Sequence, residues 1–285
     1  EIDFSKKFMI GAAARFEYYS DFGSTLNFKL ASRYKITRKF NLRGSFSTGF
    51  RAPSLAQSYY NLTFTNFIGN TPTESFLIAN NSAIARRFNI DNLKEEKALN
   101  ASLGFTAKLG AMFNLAIDGY YVSIKDRIIL SGNFDASILG LGIDNVQFFA
   151  NGVNTETTGV DLVLNWKKKM ENSEISVDLS GNVNYMSITN INNKKLDKET
   201  FFGERDRQFL LASAPKSKLN LGINYEYKKL KTALNFTRFS SVKLIDWQIT
   251  EDISNFNNSE LERLEAATDI YQPKIITDLH FSYQL

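Results

Sequence analysis

Thr37-Arg38-Lys39-Phe40-Asn41-Leu42-Arg43-Gly44-Ser45-Phe46-Ser47-Thr48-Gly49-Phe50-Arg51 holds the plan of the whole chain. Thr37–Lys39 reads as a tiny turn. Phe40, Leu42, Phe46 and Phe50 then fall on one face of an extended segment, with Asn41, Arg43, Ser45 and Ser47 on the other. That period of two is a strand with one apolar and one polar side. After Arg51 a long polar stretch, Ala52–Asn92, precedes the next alternating run.

The same unit recurs on both sides. Upstream, Phe8, Ile10, Ala12, Ala14, Phe16 and Tyr18 share one face, and Leu26, Phe28, Leu30, Tyr34 and Ile36 the next. Downstream come Leu99/Leu103/Phe105/Leu109, Phe113/Leu115/Ile117/Tyr121, Val160/Leu162/Leu164/Trp166 and Val177/Leu179/Val183/Tyr185. Leu219/Leu221/Ile223/Tyr225/Tyr227, Leu234/Phe236 and Ile275/Leu279/Phe281/Tyr283 complete about ten strands, each near the length a tilted membrane strand needs. Short turns at Thr37–Lys39, Gly110, Lys167–Ser173 and Lys228–Lys231 alternate with long connections at Ala52–Asn92, Asp126–Thr157, Asn190–Pro215 and Ser240–Pro273. Alternation places the short turns at one end of a sheet and the long loops at the other, the pattern of an outer-membrane β-barrel. A soluble sandwich also alternates. Aromatics near strand ends (Tyr18, Tyr34, Phe40, Tyr121, Trp166, Tyr185, Tyr227, Tyr283) and the long loops favour the membrane form.

Composition agrees. The 285 residues are 43% hydrophobic, with 24 Phe and 12 Tyr. No run of eighteen apolar residues exists, which argues against a transmembrane helix; the mean hydropathy of −0.25 does not exclude a barrel, whose polar lumen dilutes the average. A net charge of +4 is too mild to argue for nucleic acid. Zero Cys excludes disulfides and Cys metal sites. The opening Glu1-Ile2-Asp3-Phe4 begins in mid-pattern, as expected of a processed chain or a fragment.

Ser45-Phe46-Ser47-Thr48-Gly49-Phe50-Arg51-Ala52-Pro53-Ser54-Leu55 closely resembles a signature of TonB-dependent outer-membrane receptors, where it ends a barrel strand and enters a long loop. Further matches follow in the family's order. They are Leu93-Lys94-Glu95-Glu96, where Lys94-Glu95 departs slightly from the family pattern, and Asp118-Gly119-Tyr120-Tyr121 running to Asp126-Arg127-Ile128. Thr158-Gly159-Val160-Asp161 and Ala214-Pro215-Lys216-Ser217-Lys218-Leu219-Asn220 complete the set. The resemblance implies an all-β, antiparallel transmembrane barrel of about 22 strands, of which residues 1–285 form part of the one barrel domain. It places a plug domain before this chain and the final strands after it. It implies active import of a scarce nutrient (siderophore, haem, cobalamin or oligosaccharide), and partnership with membrane lipid and the TonB energy-coupling complex through the plug. It leaves open a surface lipoprotein partner. A passive porin or a smaller closed barrel is the alternative.

Chemistry is sparse. His280 with Asp278 on one face of the last strand would suit an outer-membrane hydrolase, but a lumen hydrogen bond is the simpler reading of so isolated a pair. No metal-ligand spacing or phosphate loop appears, so no catalytic residue, metal or cofactor is expected. The lumen row Arg15, Lys29, Arg33, Arg43 and Arg51 is expected, on the family resemblance, to face the plug, with solvation of a wet interior as the competing reading. Ligand contacts are expected from loop aromatics and cations: Tyr59, Tyr60, Phe67, Arg86, Arg87, Phe149, Phe202, Arg205, Trp247 and Tyr271. The competing role for these residues is packing of the loops on themselves. Ser259 and Glu262 read as a capping box for a short helix in the last loop.

Overall fold

A computed structural model describes residues 2–3, 5–68, 71–137, 140, 142–245 and 256–284. In chain order the strands are β1 (Ile2–Asp3), β2 (Phe8–Tyr19), β3 (Gly23–Lys35), β4 (Phe40–Arg51), β5 (Leu62–Ile68), β6 (Thr71–Ile78), β7 (Glu96–Leu109) and β8 (Phe113–Leu130). They continue as β9 (Phe134–Asp135), β10 (Asn145–Lys169), β11 (Ser173–Ile191), β12 (Ser217–Tyr227), β13 (Leu230–Phe239), β14 (Val242–Ile245), β15 (Thr268–Tyr271) and β16 (Ile275–Tyr283). The helices, all within the long connections, are α1 (Leu55–Tyr59), α2 (Ala83–Arg87), α3 (Lys198–Phe201), α4 (Glu204–Ala212) and α5 (Asn258–Ala266).

One antiparallel meander runs β2-β3-β4-β7-β8-β10-β11-β12-β13-β16, the ten strands expected from alternation. Its register is staggered in one direction. A single row of paired residues passes through Phe8, Tyr34, Leu42, Phe105, Ile117, Leu162, Gly181, Leu219, Arg238 and Ile275. Phe8 begins β2 at the short-turn end, whereas Ile275 begins β16 at the long-loop end. Strands tilted in this way curl a sheet toward a barrel. The arc is open: β16 pairs with β13 and β1 with β2, and no described strand joins the two edges.

The apolar row faces outward and has nothing packed on it. Phe16 is 68% exposed, Leu103 68%, Val183 64% and Phe281 65%. So large an apolar surface is stable when lipid, not water, is the solvent. The opposite face carries the polar side chains.

Three sequence expectations need correction. The outer end is not uniformly long-looped, because β2 and β3 are joined by residues 20–22 alone. The stretch Asp126–Thr157 is mostly strand: β8 runs to Leu130 and β10 starts at Asn145. At 18, 25 and 19 residues, β8, β10 and β11 far exceed the ~10 residues a bilayer requires, so their outer halves stand clear of it. Finally, α5 exists, but its capping box is Asn257 with Glu260 rather than Ser259 with Glu262. The Asn257 oxygen accepts from Glu260 N–H at 3.1 Å and the Glu260 carboxylate accepts from Asn257 N–H at 2.7 Å.

The buried core lies in those outer extensions, not in the sheet that spans. Ile78, Ala85, Ile90, Phe134, Val146, Phe148, Val153, Phe201 and Phe202 form it, drawn from three separate connections and from β10. The β5–β6 hairpin adds to it by pairing β6 in parallel with β10, Asn145 to Phe148 against Ser75 to Ile78.

Candidate functional site

The lumen wall is built by cross-strand reach. Arg43, Gly104 and Asp118 lie in one register row across β4, β7 and β8. Because the middle residue has no side chain, the Arg43 guanidinium crosses β7 and donates from Nε to Asp118 Oδ1 at 2.7 Å. A Cβ on Gly104 would stand 2.2 Å from that oxygen. Tyr120 repeats the device over Gly159 on β10, its hydroxyl accepting from Asn182 Nδ2 at 2.9 Å. Asn182 also donates to Asp161 at 2.7 Å, and Asn165 donates to Asp178 at 2.6 Å. The wall is thus basic along β2–β4 and rich in amides and satisfied carboxylates along β10–β12.

Higher up, Glu96 ties the wall to the loop body. It is bound by Arg51 Nε at 2.9 Å and accepts from Ile128 N–H at 2.7 Å. Of the five residues expected to face a plug, Arg43 and Arg51 spend their charge on Asp118 and Glu96, and Arg15 pairs with Glu17 at 2.7 Å. Lys29 and Arg33 share the same face and have no carboxylate partner among the described residues. Arg33 stands directly opposite Arg43 in the register.

The loop body is rigid by construction. The side chain of Asn80, 2% exposed, donates to the carbonyls of Asp91 and Phe149, each at 2.9 Å, and accepts from Leu93 N–H at 2.9 Å. Asn151 donates to the carbonyls of Lys94 and Asp126 at 3.0 and 2.7 Å. Lys194 Nζ reaches Asp91 at 2.9 Å and holds its carboxyl below the usual range, joining two connections. The Asp197 carboxyl is held low by the Thr200 N–H at the start of α3. Burial pushes the Asp206 carboxyl up, despite its bond from Gly203 N–H.

The expected ligand contacts divide between these settings. Tyr59 and Tyr60, at the end of α1, are each 51% exposed, and Tyr271 on β15 is 56% exposed. Arg87 is exposed on α2. Arg86 is spent inside its own loop, donating to the Ile90 carbonyl and to Asn92. Phe149 is half-buried on β10, and Phe202 is buried in the loop core. Arg205 lies over the Phe209 ring at 4.6 Å. Its helix α4 packs on β14, which pairs with the strand β15 that carries Tyr271. Phe67 sits on β5, and Trp247 lies outside the described residues. Asp278 and His280 both lie on the lumen face of β16. The roles of Asn80 and Asn151 escaped the sequence reading, and Glu96 was seen there only as part of a family motif, since a side-chain amide or carboxylate carries no mark of the backbone groups it will meet.

The model of the TonB dependent receptor-like β-barrel matches residues 1–285. The chain belongs to this family. It is a family of receptors and transporters of the outer membrane, not of enzymes. Solved structures share the fold. The siderophore receptor PirA of Acinetobacter baumannii is 16% identical, with 99% of this chain and 38% of that one covered at a TM-score of 0.62. A mutant of the ferric enterobactin receptor PfeA of Pseudomonas aeruginosa is 16% identical, with 99% and 36% covered at 0.65. The RagAB peptide transporter is 13% identical, with 83% and 32% covered at 0.54. No curated protein matches the chain. The chain therefore spans little more than a third of the length of the first of these relatives.

Proposed function

We propose that this chain is the wall and outer capture region of a TonB-dependent active importer for a scarce nutrient, with an iron–siderophore complex as the first candidate ligand. The observation that carries the reading is the welded loop body. Three connections share one core, and they hold exposed aromatics and an exposed Arg87 on a frame that pays little ordering entropy on binding. Aromatic faces and cations suit a flat, anionic ligand. PirA is a siderophore receptor and PfeA a ferric enterobactin receptor, which supports that ligand class here. In this reading Lys29 and Arg33, and less directly Arg15, Arg43 and Arg51, face a plug encoded outside this chain, whose movement by the TonB complex opens the path. Haem, cobalamin, oligosaccharide and peptide are the competing cargoes, and a surface lipoprotein partner belongs with the larger of them.

The test is uptake by the complete receptor in cells with and without TonB. Binding of labelled ferric siderophore in both, with accumulation in the first strain alone, is the expected result. Accumulation indifferent to TonB and to proton-motive force overturns the importer in favour of a passive pore.

A further inference from the structure

The outward face of the sheet has a break that the ligand path does not use. β3 pairs with β4 only as far as Lys29 opposite Ser47. Yet β3 continues along β2 to Gly23, and β4 continues along β7 to Arg51. Above Lys29 the two strands part. Phe28 N–H donates across the opening to Thr48 Oγ1 at 3.0 Å. At the top three rings draw the strands together again: Tyr19 stacks on Phe22 at 4.6 Å, and Phe50 stands 5.6 Å from the first and 6.2 Å from the second. Between these limits lies a groove of about 680 Å³.

Its height on the barrel matters. Tyr121 lies eight positions above Phe113, the inner end of its strand, and Leu99 lies ten above Leu109. A span of about 9–11 residues crosses the bilayer, so these side chains mark its outer boundary. Leu26 and Phe28 join them in the lower half of the groove. Lys97 and Lys125 line the upper half, each twelve positions above those same inner ends, at head-group level. They are direct partners in the β7–β8 register, on the outward face. Like charges placed opposite each other are unfavourable unless an anion sits between them. Lys97 is 3.3 Å from Glu95, whose side chain is 10% exposed against 65% for the lysine. Lys125 has no ion-pair partner among the described residues.

We propose that this groove holds a phosphate-bearing membrane lipid, one acyl chain against Leu26, Phe28, Leu99 and Tyr121 and the phosphate between Lys97 and Lys125. Glu95 and Glu156 at the rim offset part of the lysine charge. A free anion therefore gains little there, and the apolar half supplies the rest of the affinity. Lipid is the occupant because the face is outward and the apolar part lies below the charged part, matching the order of tail and head in the outer leaflet. The proposal rests on the barrel lying in a membrane. Cysteine labelling of the outward face tests that separately, so the groove can fail while the barrel stands.

The experiment is native mass spectrometry of the complete receptor, titrated with a bis-phosphorylated lipid A, with phosphatidylcholine of matched chain length, and with inorganic phosphate. Wild type is expected to retain lipid A under conditions that strip phosphatidylcholine. Lys97→Ala with Lys125→Ala should lower retention about tenfold or more, as loss of two cations near an anionic head group predicts. Leu99→Trp, which fills the lower half, should lower it comparably. The single change Lys125→Gln, at an exposed position without an ion pair among the described residues, should give a partial loss with the fold kept. Equal retention of lipid A by wild type and Lys125→Gln, no preference over phosphatidylcholine, or inorganic phosphate binding as tightly as lipid overturns the proposal.

Discussion

Single residues in this protein are chosen by the solvent each face meets. Leu103 is 68% exposed at the outward face of β7, six positions above the inner end of its strand. Leu103→Arg should destabilise the folded barrel by about 2–4 kcal/mol, since a charge near mid-bilayer has no water to solvate it. The check is urea titration in lipid vesicles, with Asn100→Arg on the lumen face as the control of small effect. Gly104 has the opposite duty, to be absent. Gly104→Val would drive a side chain into Asp118 and the Ile117 carbonyl, 2.2 and 2.4 Å from the first added carbon. The Arg43–Asp118 bridge should break, leaving Asp118 without its cation, at a cost of roughly 1–3 kcal/mol. Loss of the heat-resistant gel form in Gly104→Val but not in Gly119→Ala, where the nearest atom is 3.8 Å away, would confirm that the notch and not glycine content matters.

At the scale of elements, the long connections behave as one folded body instead of separate loops. Phe201 from α3 is fully buried beside Phe148 and Val146 of β10. Phe201→Ala should cost the body about 3–5 kcal/mol by cavity formation and lost contact. Of the spanning strands, only the outer extensions of β8, β10 and β11 reach that core, and their membrane-spanning parts do not contribute to it. The expected readout is therefore new protease cleavage in 192–216 and 131–144, with the barrel itself intact. Acid should loosen the same body. Asp91 is depressed by the hydrogen bond from Lys194, and Asp197 by the Thr200 N–H. A depressed carboxylate contributes stability above its unfolded value and loses it as pH falls through the folded one. Cleavage should rise as pH drops below the ordinary 3.8, and Lys194→Met should remove the part of that dependence owed to Asp91. If cleavage is flat from pH 6 to pH 2.5, the two carboxylates are not what holds the connections together.

For the whole molecule, the register row from Phe8 to Ile275 gives the sheet its tilt, and the short turns at one end against the long connections at the other predict its sidedness. Epitope tags in residues 72–74 or in 192–196 should be accessible on intact cells, and tags at Arg38 or at Lys228-Lys229 should not. The reversed pattern would invert the assigned orientation. The alternation of Phe40, Leu42 and Phe46 with Asn41, Arg43 and Ser45 was enough to determine the strands, their two faces and their register parity, because a slip of one residue would put charges into lipid. The motif from Ser45 to Leu55 was enough to reach the family, which the match over residues 1–285 establishes. Even the helix after Pro53 is local chemistry, with Ser54 and Gln57 capping each other at 3.1 and 3.0 Å. Where the loops begin was not local. Phe148 and Val153 look like loop residues in the chain but lie in β10, because Ile78, Phe134 and Phe201 arrive from three distant segments to bury them. The roles of Asn80 and Glu96, the bridge over Gly104 and the split between β3 and β4 were likewise decided only by the tertiary structure. Each depends on which backbone groups, or which empty space, neighbouring strands bring to a side chain, and neither pattern nor propensity carries that information.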